Sequence, residues 1–183
     1  FTFKNVAIVG QAISDWINKD LKKQTNQKRR VAVGYDTRFM SSDYAQLISC
    51  VLAQNNIEVL LADAPIPTPA LSFGVPNNSC LAGIMITASH NPYRFNGIKI
   101  KTAQGGGASR EITNRIEFYL YKSEPKLIDF GQAKKEKSIL MHNYKTDYVK
   151  FLREYVDFAK IKKSNFKVVL DAMHGSGNSL MSQ

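Results

Sequence analysis

Ser89, His90 and Lys99 are the side chains of this sequence whose types and spacing can do chemistry. Ser89 and His90 follow the apolar run Gly83-Ile84-Met85-Ile86-Thr87-Ala88 and precede the turn pair Asn91-Pro92. A run of that length reads as a buried strand, and Asn-Pro ends it in a turn. Ser89 then stands where a rigid strand emerges into a loop, a place suited to presenting a hydroxyl. A serine hydroxyl is a weak nucleophile and needs a base or a strong electrophile beside it. As a phosphoryl carrier it would hold about two negative charges. Transferring that group needs cations around its equatorial oxygens and a proton shuttle for the attacking hydroxyl. His90 is adjacent and Lys99 lies across the presumed hairpin, so both are placed for these roles, with a divalent metal as the usual further cation. Taken alone, a Ser-His-Asn loop is ordinary, because loops favour these residues.

The elements that must position this loop follow from hydrophobic spacing. Val6, Val9, Ile13, Trp16, Ile17 and Leu21 recur at helical intervals and predict a helix over 6–21 with one buried face. A polar loop over 22–30 follows, then a short strand over 31–35. Ser41, Ser42 or Asp43 can cap a second helix reaching Asn55. The strand over 57–61 completes a strand-helix-strand crossover, hence a parallel pair. Pro69 starts a short helix to Phe73. The third strand covers 80–87. The fourth, Gly97-Ile98-Lys99-Ile100-Lys101, alternates apolar and basic residues and pairs antiparallel with it. Gly105-Gly106-Gly107 is a flexible turn, and a capped helix covers 109–121. The polar stretch 122–137 reads as a boundary, followed by a helix over 144–155, a buried strand over 166–171 and a glycine-rich loop over 172–178. The expected architecture is α/β: a three-layer α/β/α domain at 1–140 with a mixed, mostly parallel sheet, followed at 141–183 by the start of a second α/β domain, cut off.

Composition bounds the function classes. The 183 residues are 44% hydrophobic, enough for one full core and part of a second. No apolar stretch approaches a membrane span, and no signal peptide is visible. The absence of an initiator Met suggests a cut or processed beginning. Cys50 and Cys80 are too few for a disulfide framework and sit in apolar contexts. Buried, reduced thiols and a reducing, cytoplasmic compartment are the expectation. His90, His142 and His174 lack zinc-ligand spacing. The net charge of +10 favours anionic partners, but the lysines are dispersed and no nucleic-acid motif accompanies them. There is no G-x-S-x-G elbow and no P-loop. His174-Gly175-Ser176-Gly177 lacks the third glycine of a dinucleotide turn.

Several motifs stand in one order: Gly34-Tyr35-Asp36-Thr37-Arg38 with Ser41-Ser42, Pro67-Thr68-Pro69, Thr87-Ala88-Ser89-His90-Asn91-Pro92, Asn96-Gly97-Ile98-Lys99, Gly105-Gly106, and Val169-Leu170-Asp171-Ala172-Met173-His174-Gly175-Ser176-Gly177. In these the sequence resembles the α-D-phosphohexomutases, which include phosphoglucomutase and phosphomannomutase. The resemblance implies the first of four domains plus the start of the second. It implies that Ser89 carries the catalytic phosphate and that its phosphoryl oxygen ligates a magnesium ion (Mg2+). His90 and Lys99 match residues that assist proton transfer and phosphate stabilisation. The implied reaction moves phosphate reversibly between the 1- and 6-positions of a phosphorylated hexose, through a phosphoserine enzyme and a hexose bisphosphate.

The departures bound the expectation. The family's Gly-Thr-Ser/Asp-Gly-x-Arg segment would precede Phe1, and its Asp-x-Asp-x-Asp metal loop, sugar-selecting loop and phosphate-clamping loop are not among these residues. The 183-residue chain alone is expected to be inactive. Thr87 before Ala-Ser fits the glucose and mannose mutases better than the glucosamine branch, which more often has serine there. Phosphoglucosamine mutase is one alternative, and a basic, non-enzymatic α/β binding module is the other. No specific nucleic-acid or membrane partner is expected, and oligomeric state is left open.

Overall fold

A computed structural model describes residues 1–21 and 28–181 of the chain. Most of the loop expected over 22–30 lies outside the described residues. Helix α1, Phe3–Trp16, is capped by Thr2, whose hydroxyl accepts from the Asn5 N–H, and it runs on into a wider π-type turn, Ile17–Leu21. Strand β1 (Arg30–Tyr35) leads to α2 (Ser41–Gln54) and β2 (Glu58–Ala62). Helix α3 (Thr68–Asn77), β3 (Ala82–Ile86), β4 (Ile98–Thr102) and α4 (Arg110–Phe118) follow. Then come α5 (Phe130–Lys135), β5 (Ile139–His142), α6 (Tyr144–Tyr155), α7 (Phe158–Lys162) and the single turn α8 (Asn178–Met181).

The five strands form one sheet in the order β4-β3-β1-β2-β5. β1, β2, β3 and β5 are parallel and β4 is antiparallel to β3. Side chains alternate across a pleated strand, and here both sets are apolar. Val31, Val33, Val59, Leu61, Ile84 and Ile86 join Ile13, Trp16, Ile48 and Leu52 of α1 and α2 on one face. Ala32, Leu60, Ala62 and Met85 join Leu71 and Val75 of α3 and Tyr144 of α6 on the other. Each face is covered, as a largely parallel sheet requires, and the result is the expected three-layer α/β/α arrangement.

Four local expectations change. The second helix is not capped by Ser41, Ser42 or Asp43. Met40 holds the N-cap position in a left-handed conformation (φ 59°) with no side-chain bond, and the Ser41 hydroxyl is drawn to Asp36. The third helix runs four residues past Phe73 because Pro76 is accommodated near its end. The segment over 166–171 is not a buried strand: Phe166, Val168 and Val169 are at least 82% exposed. A strand needs a neighbour for its backbone groups, and among the described residues this one has none. Conversely, Ile139–His142 reads as part of a connection yet pairs along its whole length with β2. The boundary expected at 140/141 therefore runs through β5.

α6 is packed on the same core. Tyr144 is fully buried, its hydroxyl donates to the Leu60 carbonyl at 2.8 Å, and its ring lies over Gly74, where a Cβ would stand 2.3 Å away. Tyr144→Ala is expected to lower unfolding free energy by about 3–5 kcal/mol by emptying that space. Tyr144→Phe should lose about 1 kcal/mol, the worth of one hydrogen bond. Urea denaturation checks both, and an unchanged Tyr144→Ala midpoint would detach α6 from the sheet. Both thiols are buried and free, and burial pushes Cys50 up to about 11 and Cys80 to about 12. Protonated at pH 8, they should react with a disulfide reagent only after denaturant is added.

Candidate functional site

The connections around β1 define where a site belongs. The chain leaves β1 through α2 to β2 on one side, then crosses back through α3 to β3 on the other. Loops leaving the carboxyl ends of β1 and β3 therefore diverge and open a crevice, the usual ligand position in open α/β sheets. The β1 loop supplies Asp36, Thr37 and Arg38, and the β3 loop supplies Thr87 through Gly97.

Asp36 joins these loops. Its backbone N–H donates to the Ile86 carbonyl at 3.1 Å, extending the β1–β3 pairing by one residue. Its Oδ2 accepts from the Thr87 hydroxyl at 2.6 Å, and Thr87 Oγ1 in turn accepts from the Ser89 N–H at 3.0 Å. Its Oδ1 accepts from the Arg38 N–H at 3.0 Å and from the Ser41 hydroxyl at 2.9 Å. Ser41 Oγ accepts from Asn96 Nδ2 at 2.9 Å, and Asn96 Oδ1 accepts from the Gly97 N–H at 2.9 Å. The Thr87 N–H donates to the Gly97 carbonyl at 2.9 Å and closes the loop's neck. One carboxylate thus fixes both the entry and the exit of the loop.

Ser89 rides on this frame. It is exposed and holds a left-handed backbone, φ 58°. For a residue with a Cβ that conformation costs roughly 1–2 kcal/mol, and it persists because the Ser89 N–H and carbonyl are both held. The carbonyl accepts from Arg38 Nη2 at 2.8 Å. The same guanidinium takes the carbonyls of Asn91 at 2.6 Å and of Pro92 and Phe95 at 3.0 Å each.

The expected site residues are partly brought together. His90 follows Ser89 and is exposed. Lys99 is exposed on β4 and registers opposite Met85, four residues before Ser89 and up to roughly 13 Å from it along an extended chain. Among the described residues neither side chain makes a hydrogen bond or an ion pair. Ile98 and Ile100 pack toward the α1 core, while Lys99 and Lys101 share the opposite face of this edge strand. Burial, then the charge of Lys99, pushes the Lys101 ammonium below its usual value. Lys101 registers opposite Gly83 near the start of β3, so of the two lysines Lys99 stands closer to the loop. Burial, then Asp63, raises the phenol of Tyr35 at the end of β1.

The sequence gives no role at the loop to Asp36, Arg38, Ser41 or Asn96, Ser41 standing only as a candidate helix cap. Their signals are membership of the ordered motifs and position, in the connection that follows β1 and just before β4. A magnesium ion needs several oxygen donors around one point. Among the described residues no group of three His, Cys, Asp or Glu side chains can hold a metal. Asp36, the carboxylate nearest Ser89 in these contacts, has both oxygens engaged. These residues do not make a magnesium site by themselves.

The comparisons bear on the same region. A family model described as phosphoglucomutase/phosphomannomutase, alpha/beta/alpha domain I, matches residues 1–126. Phosphoglucomutases of Staphylococcus aureus strains MRSA252 and USA300 are each 37% identical over 160 residues, which is 85% of this chain and 28% of theirs. The chain thus spans less than a third of the length of the curated relatives it matches. A solved structure from Thermus thermophilus, assigned as a phosphomannomutase, superposes with a TM-score of 0.74 at 29% identity, covering 87% of this chain and 33% of that one. The open form of the Paramecium phosphoglucomutase pp63/parafusin superposes at 0.76 over 95% of this chain and 37% of its own, and at 22% identity it speaks for the fold alone.

The frame makes a coupling prediction. Asp36→Ala should lower unfolding free energy by about 1–3 kcal/mol through its orphaned partners, and Thr87→Val by a smaller amount. Because they share one bond, the double variant should lose less than the sum of the two single losses, exceeding Asp36→Ala only by the Ser89 N–H bond that Thr87 also accepts. Strict additivity in a thermal-denaturation cycle would contradict the shared contact.

Proposed function

The chain belongs to the phosphoglucomutase/phosphomannomutase family through its α/β/α domain I, and from that premise we propose that Ser89 is the phosphoryl carrier of a phosphohexomutase. The observation that carries this reading is the placement of an exposed serine, held in a left-handed turn, at the crevice where the β1 and β3 loops diverge. The substrate is a phosphorylated hexose. A sugar hydroxyl attacks the phosphorus of phosphorylated Ser89, the P–Oγ bond breaks, a P–O bond to the sugar forms, and the hydroxyl proton passes to a base. The resulting bisphosphate reorients and returns its other phosphate to Ser89, so the carrier is regenerated.

In this reading His90 moves the proton, since an imidazole can both accept and donate one and His90 adjoins the carrier in sequence. Lys99 supplies positive charge to the equatorial oxygens. The +10 net charge suits an anionic substrate without requiring a nucleic-acid partner. Mg2+ would take from this chain only a phosphoryl oxygen on Ser89, its remaining ligands lying outside the described residues. Residues up to α6 serve as the carrier domain, and the stretch beyond it opens a second α/β unit. No helix among the described residues is long and apolar enough to cross a membrane.

In the full-length enzyme Ser89→Ala should abolish interconversion of hexose 1- and 6-phosphates, and normal activity in that variant would overturn the carrier assignment. His90→Gln and Lys99→Met should each lower kcat by about 10²–10⁴-fold, the usual worth of a positioned proton shuttle or charge. The purified 183-residue chain should be inactive, and turnover of glucose 1-phosphate by it would contradict the need for further domains.

A further inference from the structure

We propose that Arg38 is the positioning residue of the Ser89 loop, its guanidinium turning the loop's carbonyl oxygens inward so that a phosphoryl group on Ser89 does not meet them. The inference rests on Ser89 being the carrier. A guanidinium has five N–H donors in a fixed planar fork. Here Nη1 serves the carbonyls of Pro92 and Phe95, and Nη2 serves those of Ser89 and Asn91. Nε faces Asp36 Oδ2 at 3.4 Å. The four Nη donors are each matched to a carbonyl oxygen and Nε stands in ion-pair range of Asp36, on a side chain that is only 14% exposed and comes from a different strand connection.

The loop has little else to hold its middle. Asp36 and Asn96 secure its two ends. Between them the backbone makes only two tight turns, Asn91 N–H to Ala88 carbonyl and Phe95 N–H to Pro92 carbonyl. Residues 89–95 are all exposed, so apolar burial does not order them. Without Arg38 four carbonyl oxygens would be released beside the carrier, where their negative dipole ends would face the dianion of a phosphoserine. Arg38 therefore acts in two ways. It fixes the conformation from which Ser89 presents its hydroxyl, and it removes competing negative potential from around that hydroxyl. Lysine cannot replace it, because three N–H groups on one nitrogen cannot span four carbonyls.

The test uses full-length enzyme with Arg38→Lys and Arg38→Gln. Amide hydrogen exchange over 88–96 should quicken by about tenfold or more in both, with β1 and β3 unchanged. The value of kcat should fall by about 100-fold, the scale of a misplaced reacting group, while KM for the hexose phosphate stays within about threefold. A purely structural role would lower the melting temperature without that split. Should Arg38→Gln fail to fold, Arg38→Lys, which keeps charge and stem, carries the same comparison. Loop exchange unchanged in the variants, or a loosened loop with kcat within about threefold of wild type, overturns the proposal. Exchange needs no phosphate, so it judges the clamp even if Ser89→Ala shows that the carrier lies elsewhere.

Discussion

The carboxylate of Asp36 is the point on which the arrangement at the sheet's carboxyl edge depends. It stands one residue past β1, and its two oxygens collect donors from its own turn, from the start of α2 and from the end of β3. None of these segments is adjacent in sequence to all the others. The sheet order makes them neighbours, because β1 lies between β2 and β3 and its outgoing loop diverges from that of β3. The crevice is a consequence of topology, and Asp36 turns it into a defined geometry.

Ser89 shows what that geometry costs and what it achieves. A left-handed serine in an exposed loop would relax if its backbone were free. Here the N–H is held through Thr87 and the carbonyl through Arg38. The strain is offset by groups whose own positions are set by the sheet, so the hydroxyl is presented from a rigid base while the loop's rim, including Tyr93, stays in solvent. A carrier that must meet a substrate needs both properties: a fixed reacting atom and an open approach.

Much of the fold was legible in the sequence because its periodicities are strong. The apolar runs at β1, β2 and β3 and the helical spacing of α1 and α6 follow from burial alone. The antiparallel β4 was legible from Ile98, Ile100 and the lysines between them. What escaped depends on tertiary context. Ile139–His142 is too short and too close to a polar stretch to declare itself, and it becomes a strand because β2 offers an open edge. The run over 166–171 has a strand's composition but no neighbour among the described residues, so composition alone misled. The serine loop was legible as a candidate site, yet the contacts that support it were not. Asp36, Arg38, Ser41 and Asn96 act through contacts spanning up to 57 positions, which no local pattern encodes.

The domain I frame holds Ser89 exposed in a fixed turn, and the role proposed for this serine is to carry phosphate. The most direct measurement is intact mass with peptide mapping of the full-length protein purified from its native host. A single phosphate localised to Ser89 is the expected result. Fully active protein with no phosphate on Ser89, or with its phosphate on a different residue, would contradict it.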